Sequence, residues 1–248
     1  AEPCFSEVKR PERKDRQTRI LFAGRLLPDK GIYTLLAALH MECLKGIDYE
    51  LTVTDAAGDT EDGQIILKLL QAHPRVNVIP ARKSPQHMAE LMAQQDIVVV
   101  PSTNSFWQET FGIVSVEAQH AGCRVVAANG GGLPETDCGS AILVNPDDPS
   151  ALANGLSKAA LLGPLTTAER LYSTTKFTLQ ASVSSLLDAM ASTEDKATHK
   201  SSLPLLQKQG SLVREQLDMA ISTISQISQI GLQLGRDQKL SQRDVRDA

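Results

Sequence analysis

No apolar run in this 248-residue chain approaches the roughly 18 residues that a membrane-spanning helix needs, and no secretory leader opens it. Basic charge is not in excess. The chain has 25 Lys and Arg against 29 Asp and Glu, a net −4 at pH 7, which removes the electrostatic ground for a nucleic-acid partner. The run from Arg10 to Arg16 mixes both signs and reads as a solvated linker. Cys4, Cys43, Cys123 and Cys138 contain no CxxC pair, so they form no zinc pattern and are expected as reduced, mostly buried thiols. None of His40, His73, His87, His120 and His199 stands in an HExxH or nucleophile-elbow context, which leaves a histidine-based hydrolase with little support. These absences point to a cytoplasmic protein with neither a transmembrane segment nor a nucleic-acid partner.

The apolar content of 42% with 22% charged residues is ordinary for a chain that buries a full core. At roughly 100–200 residues per domain, the length suggests one large domain or a domain with an appendage. Residues 1–17 are polar, show no period and read as an entry linker. They include no initiator Met, so a piece of a longer chain is expected. Short β-favouring runs follow at Arg19 to Gly24, Tyr49 to Thr54, Val76 to Ile79, Asp96 to Val100, Arg124 to Ala127 and Ala141 to Val144. Helical patterns lie between them, with Ile32, Leu35, Leu36 and Leu39 in the first and others at Gln64 to Ala72, Pro85 to Ala93, Phe111 to Ala121 and Pro149 to Leu162. This alternation predicts an α/β fold with a Rossmann-like parallel sheet covered by helices on both faces.

Thr166 to Met190 is helical in pattern. From Ser192 to Ala248 there is no Phe, Tyr or Trp, and the composition turns to Ser, Gln and charge. Within it, Val213, Leu217, Ala220, Ile224, Ile227 and Leu234 fall at four- and three-residue steps, with Gly231 interrupting them. Ser211 to Leu234 is thus a C-terminal amphipathic helix, either a heptad-like seam for a homo-oligomer or a helix packed on the domain or on a neighbour. The expected division is 1–17 linker, 18–191 Rossmann-like domain and 192–248 polar linker and helix.

Two loops concentrate the chemistry. Pro101 to Glu135 begins as the run Ile97 to Val100 ends and enters a helix that carries Glu109 and Glu117, eight residues apart. A loop and a helix start at the carboxyl end of a buried parallel strand make an anion site, because unpaired N–H groups and the positive dipole end face the ligand. Alternatively, Glu109 is an acid favoured near a helix start and Glu117 a solvated helix residue. Arg25 and Lys30 sit on the first strand-to-helix turn, where a guanidinium fork and an ammonium point charge suit a diphosphate. There is no Walker A pattern, and turn chemistry at Pro28-Asp29 with two solvated cations accounts for the spacing equally well.

Three stretches, in order, support a resemblance. GRLLPDKG (Gly24 to Gly31) looks like a GRL-x-x-x-KG turn, ETFGIVSVE (Glu109 to Glu117) fits an E-x7-E motif, and GGGLPE (Gly130 to Glu135) resembles the glycine-rich turn that follows it. From Arg19 to about Met190 the chain resembles the C-terminal, donor-binding half of GT-B glycosyltransferases of the retaining family 4, also called group 1. The resemblance implies that Arg25 and Lys30 neutralise the departing diphosphate, taking the place of a metal. It implies that Glu109 holds donor-sugar hydroxyls and that the N–H groups of Phe111, Gly112 and Ile113 meet sugar and phosphate. Gly24 would belong to the donor turn, Glu117 would accept the two ribose hydroxyls, and the Pro80 to Lys83 loop, with Arg82, would frame the base.

The chain departs from the family where Gly122 is followed by Cys123 and Arg124 instead of a Gly-x-Pro, and where Pro80 and Ala81 stand for the glycine of the base loop. The implied ligand is a UDP- or GDP-linked sugar, with no cofactor and no metal. The implied partner is an N-terminal acceptor-binding half, without which the chain is expected to be inactive. The alternatives are a nucleotide-sugar epimerase half of the same fold, or a non-catalytic assembly module using the C-terminal helix.

Overall fold

The computed structural model describes residues 1–58, 60–103 and 108–196. The helix expected at Ser211 to Leu234, with any oligomer seam on it, lies outside the described residues.

In chain order the elements are α1 (Pro3–Glu7), β1 (Thr18–Phe22), a 3-10 turn (Pro28–Lys30), α2 (Ile32–Ala38), α3 (Glu42–Lys45), β2 (Tyr49–Asp55), α4 (Glu61–Ala72), β3 (Val76–Pro80), α5 (Pro85–Ala93), β4 (Ile97–Val100), α6 (Ile113–His120), β5 (Arg124–Ala128), a second 3-10 turn (Leu133–Thr136), β6 (Ile142–Val144), α7 (Pro149–Leu162), α8 (Thr167–Ser173) and α9 (Leu179–Lys196). The helix starts follow local chemistry. Thr60, Ser84 and Asp148 each accept a backbone N–H at the first turns of α4, α5 and α7, and Thr166 with Glu169 forms a reciprocal capping box on α8. One compact unit covers Ala1–Val183; α9 runs on into a second, Ser184–Ala248.

All five strand pairings are parallel, in the order β3-β2-β1-β4-β5-β6. The chain winds outward from β1 through β2 to β3, then returns to place β4 on the other side of β1. The helices that follow β1 and β4 pack on opposite faces of the sheet, which makes the carboxyl ends of these two strands the topological switch point, the place where open α/β sheets bind ligands.

The strand side chains divide the core in two. Ile20, Phe22, Leu51, Val53, Ile97, Val99 and Val126 face Leu35, Ile66, Leu152 and Leu156 of α2, α4 and α7. Leu21, Val98, Val100, Val125 and Ala127 face Phe5, Ala89, Met92 and Ala118 of α1, α5 and α6, with Ala121 just past the end of α6. Burial on both faces is why these strands read as continuous apolar runs rather than alternating ones.

Two expectations need correction. The entry segment is not a solvated linker along its length. Phe5 on α1 is 1% exposed within the second core, and the Arg170 guanidinium donates to the carbonyls of Phe5, Ser6 and Val8 at 3.3, 3.1 and 2.7 Å. Arg10 donates to Gln95 O at 2.6 Å, and Arg13 pairs with Asp96 at 2.7 Å. A single buried aromatic in a polar run leaves no period to detect. The second correction concerns the helix expected across Thr166 to Met190, which is broken between α8 and α9, where Phe177 takes a positive φ of 53°. Three threonines, Thr174, Thr175 and Thr178, stand in that break, and β-branched residues are poor helix formers.

Candidate functional site

The β1 and β4 loops are clasped together. Gly31 ends the first 3-10 turn at φ 71°, and a Cβ there would lie 1.7 Å from the Pro101 carbonyl oxygen. Only glycine permits that approach. Two residues on, the Thr103 N–H donates to the Asp29 carbonyl at 2.9 Å. The clasp delivers Lys30 to Glu109, 79 residues away in sequence, with Nζ to Oε2 at 2.6 Å. Both side chains are largely buried, at 17% and 18% exposure. Ser102 Oγ donates to the same Oε2 at 3.3 Å, and Asp29 stands 4.0 Å from Lys30 Nζ.

The glycine-rich turn closes the other side. The Gly132 N–H donates to the Glu109 carbonyl at 2.7 Å. A Cβ at Gly131 would come within 2.2 Å of that same oxygen, and one at Gly132 within 2.1 Å of the Thr110 carbonyl. Gly112, at φ 71°, precedes α6 and gives it no side-chain cap; a Cβ there would meet Leu133 at 2.4 Å. ETFGIVSVE and GGGLPE thus interlock through their backbones, GRLLPDKG is clasped through its backbone to the loop after β4 and reaches Glu109 through the Lys30 side chain, and α6 begins four residues beyond Glu109. Phe111 and Ile113 stand at its start, 39% and 48% exposed, and Phe111 packs edge-to-face on Phe177 at 5.7 Å.

Not every expected residue joins this contact. Gly24 and Arg25 lie on the Lys30 loop, where Arg25 is exposed and has no hydrogen-bond or ion-pair partner among the described residues. Arg82 is exposed after β3, at the carboxyl edge of the same sheet. Glu117 sits in the second turn of α6, half-buried, and burial pushes its carboxyl up to about 7, against a smaller opposing pull from the Ala1 ammonium and with a push from Glu2. Ser102 went unnoticed in sequence because a serine after a strand has no period and no motif; only the clasp gives it a partner. Among the described residues, no three His, Cys, Asp or Glu side chains are grouped to hold a metal ion, and no described helix is long and apolar enough to cross a membrane.

Glu117 makes a testable claim about stability. Its folded carboxyl titrates near 7, against an ordinary value near 4.5, so the folded state holds the proton more tightly than the unfolded chain. The resulting stabilisation is fully present below pH 4.5 and is lost as pH rises through 7. After allowance for solvent screening, Glu117→Gln should gain about 1–2 kcal/mol on the native chain between pH 5 and pH 8. Urea unfolding at the two pH values measures this; an unchanged difference between the two proteins would overturn it.

The sequence pattern described as "Glycosyl transferases group 1" matches residues 5–176. The chain belongs to this family. Among curated relatives, a D-inositol 3-phosphate glycosyltransferase of Corynebacterium kroppenstedtii is 38% identical over 148 residues, covering 56% of this chain and 32% of the relative. A lipopolysaccharide 1,2-N-acetylglucosaminetransferase of Salmonella typhimurium is 34% identical over 124 residues, covering 48% of this chain and 32% of the relative. This group 1 chain therefore spans about a third of the length of these relatives. Among solved structures, the C-terminal domain of the group 1 protein LpcC of Francisella tularensis matches over 70% of this chain and 98% of its own, with a TM-score of 0.51 and 22% identity. Anabaena Alr3699/HepE, solved in complex with UDP and glucose, matches over 71% of this chain and 49% of its own, with a TM-score of 0.54 and 23% identity. The fold is the Rossmann-like half of a GT-B glycosyltransferase.

Proposed function

We propose that this chain is the nucleotide-sugar-binding half of a retaining, metal-independent glycosyltransferase that moves a sugar from a nucleoside diphosphate to an acceptor hydroxyl. The contact of Lys30 with Glu109, four residues before α6 begins, is the observation that supports it most directly. An ammonium and a carboxylate within one hydrogen bond of each other at the sheet's switch point suit the diphosphate and the sugar hydroxyls of one ligand. Arg25, exposed on the same loop, offers a second cation with no partner of its own among the described residues to compete with phosphate. The first amides of α6 supply N–H groups to phosphate and sugar.

Glu117, in the second turn of α6, takes both ribose hydroxyls, since two carboxylate oxygens match a vicinal diol. The loop holding Arg82 frames the base. The acceptor and the remaining catalytic contacts come from an N-terminal half, so the chain alone binds donor weakly and transfers nothing. The uridine nucleotide in the Anabaena relative favours a UDP-linked donor.

Calorimetric titration with UDP, GDP and ADP tests this. Selective binding of one diphosphate is expected, falling at least tenfold in Arg25→Ala and in Glu117→Ala, as for loss of a charge-assisted contact worth about 1.5–3 kcal/mol. If the folded protein bound none of the three, the proposal would be wrong.

A further inference from the structure

Ser102 follows Pro101 directly after β4 and is 5% exposed. Its hydroxyl and the Lys30 ammonium both donate to Oε2 of Glu109, at 3.3 and 2.6 Å. Among the described residues no donor is directed at Oε1. A carboxylate accepts through two oxygens, and with both of these donors on Oε2, Oε1 is the oxygen suited to a group from outside. The backbone that presents Ser102 is fixed independently of Glu109, by the Pro101 carbonyl against Gly31 on one side and by the Thr103 N–H on Asp29 O on the other. Lys30 ends a long, flexible side chain, whereas the serine hydroxyl is held by a single carbon to this clamped backbone.

We infer that Ser102 is a positioning residue that fixes the Glu109 carboxylate with Oε1 turned toward a hydroxyl of the donor sugar. The inference rests on the proposed donor site. At 3.3 Å the Ser102 bond is long for a hydroxyl donor, and in the ligand-free chain Lys30 is the stronger partner of Oε2. A diphosphate draws the Lys30 ammonium toward itself. Ser102 then becomes the main protein group holding Glu109, so its contribution appears only when a sugar is present.

The test titrates the full chain with UDP, UDP-glucose, GDP and GDP-mannose and reads how much the sugar adds to affinity over the matching diphosphate. Ser102→Ala should leave diphosphate affinity within about twofold and lower sugar-nucleotide affinity about tenfold, the range for losing one hydrogen bond to a charged group. Ser102→Thr, which keeps the hydroxyl, should restore most of it, and melting temperatures of all three proteins check that each is folded. An equal fall for diphosphate and sugar nucleotide, or no fall for either, would show that Ser102 is merely structural and overturn the inference while leaving the donor site intact. Failure of the folded parent chain to bind any of the four ligands would remove the donor site and this role with it.

Discussion

Gly31→Ala should lower the stability of the compact unit by about 4 kcal/mol or more, a loss confined to a few mechanisms such as backbone strain and forced displacement. Two costs combine. The φ of 71° at Gly31 places an alanine in the left-handed region, at roughly 1–2 kcal/mol. The new Cβ would also fall 1.7 Å from the Pro101 carbonyl oxygen, which is backbone and cannot swing aside as a side chain could. Relief requires parting the β1 and β4 loops, which breaks the Thr103 to Asp29 bond and withdraws Lys30 from Glu109.

Two other glycines separate these costs. Gly58 has φ 60° with no described atom within 4 Å of its Cβ position, so Gly58→Ala should lose only the strain, about 1 kcal/mol. Gly46 has φ −85° and equally open space, so Gly46→Ala should stay within about 0.5 kcal/mol of the parent. Urea unfolding of the three variants checks the order. If Gly31→Ala were no worse than Gly58→Ala, the tight clasp would not exist in solution.

That clasp marks the limit of what could be read from the chain. The central strands were legible because burial on both faces writes apolar runs of strand length, while the edge strands β3 and β6, only partly buried, were legible as short β-favouring runs between helical spacings. GRLLPDKG, ETFGIVSVE and GGGLPE were legible as turns and helix starts, and as likenesses to a family. Their meeting was not written in any local pattern, and only the likeness to the family implied that they share one ligand. Contact between Lys30 and Glu109 depends on β4 lying beside β1 instead of beside β3, and strand order leaves no trace in local periodicity. The spacing of apolar residues starts α6 at Phe111, whereas the left-handed turn at Gly112 delays it to Ile113. The role of α1 stayed hidden for a different reason. One buried phenylalanine anchors it, and its carbonyls are met by an arginine more than 160 residues away.

The Lys30–Glu109 pair should give opposite answers to opposite mutations. A structural ion pair at 17% and 18% exposure behaves symmetrically, since removing either partner strands the other charge and costs stability. A donor site behaves otherwise. In the ligand-free chain the Lys30 charge is already spent on Glu109 at 2.6 Å, so an incoming diphosphate competes with that carboxylate and is repelled by it.

In the proposed donor site Lys30→Met removes a cation that faces the phosphates, and affinity for the preferred nucleoside diphosphate should fall about 100-fold, equivalent to about 2.7 kcal/mol. Glu109→Gln frees Lys30 and abolishes the repulsion, so affinity for the same diphosphate should rise several-fold. It also weakens the acceptor for the sugar hydroxyls, so the sugar nucleotide should lose its advantage over the plain diphosphate. Both variants should unfold at lower urea than the parent, Lys30→Met more so, because it leaves a largely buried carboxylate with Ser102 as its hydrogen-bond donor among the described residues. Calorimetry with diphosphate and sugar nucleotide, alongside urea unfolding, tests the pair. Changes of the same sign in diphosphate affinity would mark the pair as scaffolding, and opposite signs would mark it as the point where the phosphate and sugar ends of one ligand are read together.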